Sequence, residues 1–547
     1  MHTSSRLRDY LRTSFAPTLL HIVLVISVFS YLALDLNRPI NLYDEGTIVY
    51  GAARVLQGAI PYRDFWSVYS PGQFYVVAWL FQLFGPSIYI ARIWDILVRF
   101  LIVVAVYLIT RRLTATPPAI LSAVIAAVII VPLDFYYGYT AFPSLLFMLL
   151  SIAALVNYIS SRQSRWIVGC GVCIGVTTLF RADFGAYIFL AITLPGIIIG
   201  AAQAFRRRPF PILPVVPAQR RNLFRPIFLF AGGLAAVILP VLAYLLFNVS
   251  WGDLWFDLVA FPLQIPAYRH LPYPPLVPSE DTVLLFWLRF YIPILVAVIS
   301  SVLLLIRYRY LKDTDQILAY VWGRMALILS AMLLFLQTIS RNSDVHITPS
   351  YVVTSILLAL LLFDIHSSDQ SLLVRAAGTG GVSIICACLL IIPLSAWFYV
   401  QKEITQLDCV SKLERSGCIY VPSDTRQAIT YITAHTRPDE AVYVGLTRHD
   451  KGVSNDIMFY FLANRRSATP YYELHPGITT SLPVQQEIIA SLNTYKVQYV
   501  VLWSGSEAMI EPNASSISSG INLLDDFIHA HYEPVAQFGL YKILQHK

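Results

Sequence analysis

The stretch "NLYDEGTIVYGAARVLQGAIPYRDFW", residues 41–66, sets two adjacent carboxylates, Asp44 and Glu45, just beyond the first long apolar run, residues 17–35. Acidic residues suit a helix N-terminus, where the peptide dipoles leave partial positive charge. Leu42, Glu45, Val49, Ala52 and Leu56 follow helical spacing, Gly58 is a good C-terminal stop, and Pro61 lies just past it. The expected element is a short amphipathic helix on the outer membrane surface. After it comes "QFYVVAWLFQLFG", residues 73–85, which is too short to span a bilayer and reads as an interfacial or re-entrant helix.

The rest of the chain supports a membrane setting. Of 547 residues, 57% are hydrophobic and only 13% charged, and mean hydropathy is +0.62. A soluble chain would be about a quarter charged. Apolar runs cover roughly 17–35, 91–110, 117–133, 142–159, 166–181, 184–203, 226–247, 282–306, 317–339, 349–365 and 376–399, giving a polytopic α-helical protein of about eleven spans. No cleavable signal is evident in "MHTSSRLRDYLRTSFAP". With the N-terminus in the cytoplasm, Arg111, Arg112, Arg162, Arg165, Arg206–Arg208, Arg220, Arg221, Arg225, Arg307, Arg309 and Lys312 all fall in inner loops. That is the asymmetry the positive-inside rule requires. The net charge of +7 is therefore a topology signal and not a nucleic-acid footprint.

Residues 400–547 change character. "DTRQAITYITAHTRPDEAVYVG" reads helix, turn, strand, and the order repeats in "VQQEIIASLNTYKVQYVVLW" and "NLLDDFIHAHYEPVAQFGLYKIL". The expected division is a membrane domain, 1–399, and a small extracytoplasmic α/β domain, 400–547. The latter has no dinucleotide fingerprint, P-loop or nucleophile elbow. Cys170, Cys173, Cys386 and Cys388 lie inside apolar runs and read as packing residues. Cys409 and Cys418 are either a short-loop disulfide or two free thiols.

Asp44 and Glu45 can bind a divalent metal such as Mg or Mn, act as a general base, or do both. The bland reading is a solvated acidic helix start. The surrounding pattern, "YDEG", "YGAARVLQGAIPYRDF", "YSPGQFYVVAWLFQLFG" and then "AR", resembles the start of the GT-C superfamily of membrane glycosyltransferases. It is most similar to the dolichyl-phosphate-mannose protein mannosyltransferase and aminoarabinose transferase type. The matching positions are Asp44, Glu45, Gly58, Tyr62, Pro71 and Arg92, all within roughly the first hundred residues. Gly46 stands where Ala is frequent, and Pro71 is single where a pair is common.

The resemblance implies a polyprenyl-phosphate-sugar donor and transfer to an extracytoplasmic acceptor, a cell-envelope glycan, lipid or protein, with inversion. It implies Asp44 as base or metal ligand and Glu45 as second ligand or orienting group. The setting it implies is the bacterial inner membrane. The lipid phosphate then needs cations near the outer surface. Arg181, beside Asp183 in "TLFRADFGAY", is one, with an interfacial Arg–Asp pair as its bland reading. Arg341 and His346, in "ISRNSDVHITPSY", are two more, and their turn resembles one that holds lipid phosphate in the superfamily. Arg269 and His270 lie in a Pro-rich loop, where such a pair is usually just solvated. Tyr62, Arg63 and Asp64 lie in the motif loop, where the last two can simply pair.

Other readings stay open: a transporter or flippase of lipid-linked sugars, a polymerase or ligase with a diphosphate-linked donor, or a non-catalytic scaffold. A transporter needs ionisable residues lining a path at membrane depth. Asp95, Arg99 and Asp364 are the residues to watch.

Overall fold

The computed structural model describes residues 22–131, 138–205, 224–275, 277, 284–308, 315–366, 372–401 and 413–547. Helix α1, Ile22–Ala33, leads to α2 (Asp44–Leu56), α3 (Gly72–Phe84), α4 (Ile88–Leu113), α5 (Thr116–Ile129), α6 (Ala141–Ser161), α7 (Ser164–Phe180), α8 (Ala182–Phe205) and α9 (Phe224–Asn248). Two short helices follow, α10 (Trp251–Trp255) and α11 (Ile265–Arg269). The membrane part closes with α12 (Leu284–Tyr308), α13 (Asp315–Phe335), α14 (Gln337–Ser340), α15 (Asp344–His366) and α16 (Leu372–Gln401).

Among the described residues, seven helical stretches are long and apolar enough to cross a membrane: Ile88–Leu113, Ala141–Ser161, Ala182–Ile199, Arg225–Asn248, Leu318–Ser340, Asp344–His366 and Arg375–Ser395. Shorter apolar helices occupy Ile22–Ala33, Thr116–Ile129, Ser164–Phe180 and Phe290–Ile306. Each apolar range read from the sequence thus holds a helix.

Among the described residues, two buried pairs of opposite charge lie within the apolar helices. Arg99 forms an ion pair with Asp95 at 2.7 Å, one turn away on α4, and Arg324 pairs with Asp364, which also accepts from Tyr320 at 2.9 Å.

Helix α3 is as short as its sequence suggested, and it ends at Gly85, whose φ of 85° favours glycine. Helix α2 also ends as expected: Gly58 has φ 91° and its N–H bonds the Val55 carbonyl at 2.9 Å. Its setting differs from the expectation. Glu45 through Arg54 are all buried, so α2 is not a surface helix. It packs between α3 and the C-terminal α/β unit. One face is apolar and the other is small. A Cβ on Gly46 would sit 2.6 Å from the Met458 backbone nitrogen, so glycine is what permits the contact. The Leu42 carbonyl then accepts from both Ile457 and Met458 N–H at 3.0 Å.

Residues 413–547 form α17 (Ser423–His435), β1 (Ala441–Leu446), α18 (Met458–Ala463), β2 (Arg466–Ser467), α19 (Leu482–Thr494), β3 (Tyr499–Trp503), α20 (Leu523–His531), β4 (Tyr532–Phe538) and β5 (Tyr541–His546). The sheet order is β2-β1-β3-β5-β4. β1 lies parallel to both neighbours, whereas β3–β5 and β5–β4 are antiparallel. The helix–strand repeats are present, but the third ends in a hairpin, β4–β5, turned by Gly539 at φ 51°. One hydrophobic cluster joins Ile48, Val49, Phe74 and Val77 to Val444, Ile457, Phe461 and Tyr472. The expected division near residue 400 therefore separates elements that share a core. Cys418 is disulfide-bonded, while Cys409, its expected partner, lies outside the described residues.

Candidate functional site

The loop into α2 is set by Asn41, whose side-chain oxygen accepts from the N–H groups of Tyr43 at 3.0 Å and Asp44 at 2.8 Å. This satisfies donors that open the helix. Successive helical residues point about 100° apart, so the two acids separate. Glu45 turns inward. Arg92 of α4 donates from Nε to Oε1 at 2.7 Å and from Nη2 to Oε2 at 2.8 Å. The same guanidinium bonds the carbonyls of Leu36, Arg38 and Pro39. Both residues are essentially fully buried. Glu45 thus ties α2 to α4.

Asp44 turns the other way and is half-buried. It accepts from Tyr69 Oη at 3.3 Å. Burial raises its pKa above the ordinary carboxylate value, opposed by the charges of Arg269 and Arg341 and by the bonds from Tyr69 and Asn41.

A second carboxylate comes from the C-terminal α/β unit. Glu473 is buried and accepts from Tyr43 Oη at 2.8 Å. Its Oε2 has no hydrogen-bond partner among the described residues. Burial pushes its pKa up to about 7, with Asp44 adding to the rise and Tyr43 and Arg269 working against it.

Arg269 joins these two carboxylates. Its Nη2 donates to Tyr43 Oη at 3.2 Å, its Nη1 to the Val453 carbonyl, and its guanidinium lies 5.5 Å from the Tyr43 ring centre. The adjacent His270 is turned away, with Nδ1 bonding the Ile339 carbonyl at 2.9 Å.

The remaining expected cations gather around the same charges. Arg341 grips Glu511 at 2.6 and 2.9 Å, and Glu511 also accepts from Asn513 at 2.9 Å. Arg181 bonds Asp183 at 2.8 and 3.0 Å, Tyr139 Oη at 2.9 Å and Gln337 at 2.6 Å. His346 takes Ser343 Oγ at 2.8 Å and meets Tyr139 edge-on at 5.8 Å. Arg181, Arg341 and Arg269 all act electrostatically on His346, and Arg269 and Arg341 on Asp44. Of the expected donor-phosphate residues, Arg341 acts on Asp44 directly, whereas Arg181 shares with Asp44 only an action on Tyr139, which His346 meets edge-on.

The motif-loop residues shape the backbone instead. Tyr62, at φ 70°, is buried and donates to the Tyr69 carbonyl at 2.7 Å. Arg63 and Asp64 bond each other at 2.7 and 3.1 Å, and Asp64 accepts the Ile60 N–H at 2.7 Å.

A metal held by Asp44 and Glu45 does not fit this geometry. Both Glu45 oxygens are engaged by Arg92. No group of three or more His, Cys, Asp or Glu suited to a metal occurs among the described residues.

Glu473 and Glu511 were not legible as site residues. Each lies in a loop without periodicity and meets its partner, Tyr43 or Arg341, only through the packing of residues 413–547 on the helices.

Residues 69–216 match the family model described as dolichyl-phosphate-mannose-protein mannosyltransferase, a span that begins after the acidic pair. No curated protein matches the chain. Among solved structures, ArnT from Cupriavidus metallidurans bound to undecaprenyl phosphate is 14% identical with a TM-score of 0.51, over 97% of this chain and 98% of that one. The archaeal oligosaccharyltransferase AglB from Archaeoglobus fulgidus, in complex with an inhibitory peptide and a dolichol-phosphate, is 14% identical with a TM-score of 0.50, over 90% of this chain and 70% of that one. At such identity the likeness is one of fold.

Proposed function

From the GT-C fold that this chain shares with ArnT and AglB, we propose that it is a glycosyltransferase. It moves a sugar from a polyprenyl-phosphate carrier to an extracytoplasmic acceptor. The observation that carries this reading is the division of labour in the first external loop. Glu45 is held by Arg92, while Asp44 makes no ion pair among the described residues and lies in the field of Arg269 and Arg341. The ligands in the two neighbours, undecaprenyl phosphate and a dolichol-phosphate, support the donor class.

A sugar on a lipid phosphate already carries its leaving group. The acceptor oxygen bonds the anomeric carbon as the bond from that carbon to the phosphate oxygen breaks, and the electron pair departs with the phosphate. The acceptor's proton goes to Asp44. A single displacement from the opposite face inverts the anomeric centre and needs one base, not the carboxylate pair of a glycosidase. Arg341, Arg181 and Arg269 take up the phosphate charge, with His346 beside them. Arg341 and Arg181 are held by Glu511 and Asp183, so the donor competes with a carboxylate for each.

The setting follows the same reading: the bacterial inner membrane, with the N-terminus in the cytoplasm and residues 413–547 outside. A disulfide at Cys418 suits that oxidising side.

The test is purified protein incubated with a panel of radiolabelled polyprenyl-phosphate sugars and envelope extracts. Wild type should transfer one of them, and Asp44→Asn should lose roughly 10²- to 10⁴-fold of that rate, the usual contribution of a positioned base. Equal transfer by both proteins removes Asp44 from the mechanism. No turnover of any lipid-phosphate sugar favours the transporter.

A further inference from the structure

The segment between α9 and α11 has two unlike sides. One rests on the protein. Leu254 of α10 shares a cluster with Ile60 and Tyr62 of the motif loop and with Leu245 and Val249 at the end of α9. Asp257 is buried in the π-helical turn that follows, Phe256–Ala260. Phe261 meets Trp66 at 5.4 Å and His475 at 5.1 Å, both edge to face. α11 then ends on Arg269, which reaches Tyr43 and the Val453 carbonyl.

The other side is bare. Phe247, in the last turn of α9, is 88% exposed, Trp251 65% and Leu263 77%. Trp255 and Phe256 are exposed as well, and the Trp251 and Trp255 rings stack at 6.4 Å, one turn apart. Leaving apolar groups in water is unfavourable in proportion to their area, and a run of this length marks an interaction surface. Among the described residues nothing covers it.

Continuity with the membrane identifies the cover. α9 is long and apolar enough to span, and only 11% of its most apolar stretch is buried by protein. Lipid therefore surrounds most of it. α10 starts at Trp251, just past the end of α9 at Asn248, and Leu254 folds back against Leu245 and Val249. It thus lies beside the last turns of a span rather than beyond them. The side chains at that level are interfacial in kind. Tyr75 Oη of α3 donates to Tyr244 Oη of α9 at 3.4 Å, and the exposed Arg63 lies within electrostatic reach of both hydroxyls. Tyr, Trp and Arg anchor proteins at the headgroups of a bilayer. Helix α3 repeats the pattern: Phe74, Val77 and Phe81 are buried, while Trp79 and Leu83 are exposed on the opposite face.

We propose that residues 247–263 form a bilayer seat, with their exposed aromatic face set into the headgroup–acyl boundary of the phospholipids and their other side on the motif loop. The occupant is lipid and not a second copy of the chain, because the bare face continues that of α9 through Phe247. Whatever fixes this segment to the bilayer also fixes Arg269 at its end, so the seat sets the depth of the candidate site. The proposal stands apart from the transferase reading.

The experiment uses the full chain in phosphatidylcholine nanodiscs, with a nitroxide attached at Trp251→Cys and, separately, at Trp255→Cys. Wild type treated with the same reagent gives the background from the native cysteines. Leu239→Cys on α9 is the lipid reference, and Glu533→Cys on β4 is the water reference. Oxygen concentrates in lipid and a nickel chelate in water, so the ratio of their effects on nitroxide relaxation reports depth. At both tryptophan positions that ratio should exceed the water reference at least about fivefold, toward the value at Leu239→Cys. A ratio equal to the water reference overturns the seat. Poor access of both reagents overturns it too, since protein and not lipid then covers the face. Elution with wild type in size exclusion qualifies each variant, and either tryptophan position alone decides.

Discussion

Arg92 holds Glu45 through two hydrogen bonds of 2.7 and 2.8 Å where α2 meets α4, with both side chains out of water. Among the described residues the neighbouring Asp44 makes no such ion pair, and its carboxylate accepts from Tyr69 at 3.3 Å. Adjacent acids on one helix thus have opposite fates. One fixes the helix, and the other is presented to the arginines above it.

Removing one member of a buried pair strands the other charge, at a cost of about 3–5 kcal/mol. Glu45→Gln and Arg92→Gln should each lower unfolding stability by that order, and the double variant should lose less than the sum of the two. Thermal unfolding of the three purified variants measures this. If Glu45→Gln unfolds like wild type while transfer is lost, Glu45 is catalytic and not positional.

Glu473 makes the site respond to pH. Its folded pKa of about 7 lies above the ordinary glutamate value of 4.5. The native protein therefore binds more protons than the unfolded chain across that window, and stability falls as pH rises from about 4.5 to about 7. The loss is on the order of 3 kcal/mol. Glu473→Gln, which keeps Tyr43 hydrogen-bonded, should flatten this slope. Unfolding midpoints measured at intervals between pH 4.5 and 8 are the check, and a slope unchanged in the variant would remove Glu473 as its source.

Length and periodicity made much of the fold legible. The apolar ranges, the brevity of α3 and the Gly58 and Gly85 stops depend on local properties of the chain. The burial of α2 does not. Leu42, Val49 and Leu56 announce one apolar face, but Gly46 lets the opposite face close against Ile457 and Met458, far along the chain. The site divides in the same way. Asp44, Arg181, Arg341 and His346 stand beside apolar runs, where a charge is conspicuous. Glu473 meets Tyr43, Glu511 meets Arg341 and Arg269 meets Val453 only because residues 413–547 pack against the helices.

Arg341 and Glu511 make the last test. Burial pushes the Glu511 carboxyl upward, but the bonds from Arg341 and Asn513 outweigh it and hold the group below its ordinary value. The carboxylate is therefore ionised at neutral pH and occupies both Arg341 donors, at 2.6 and 2.9 Å. A donor phosphate must displace it to gain the same bidentate grip. Glu511→Gln weakens the competitor while leaving Arg341 charged. A hydrogen bond to a charged group contributes about 1.5–3 kcal/mol, so the variant should bind undecaprenyl phosphate roughly tenfold tighter. Arg341→Gln should bind it at least tenfold more weakly. Equilibrium binding on the two variants separates this from a structural role: a Glu511 that only anchors the external domain would, when replaced, weaken lipid-phosphate binding or leave it unchanged.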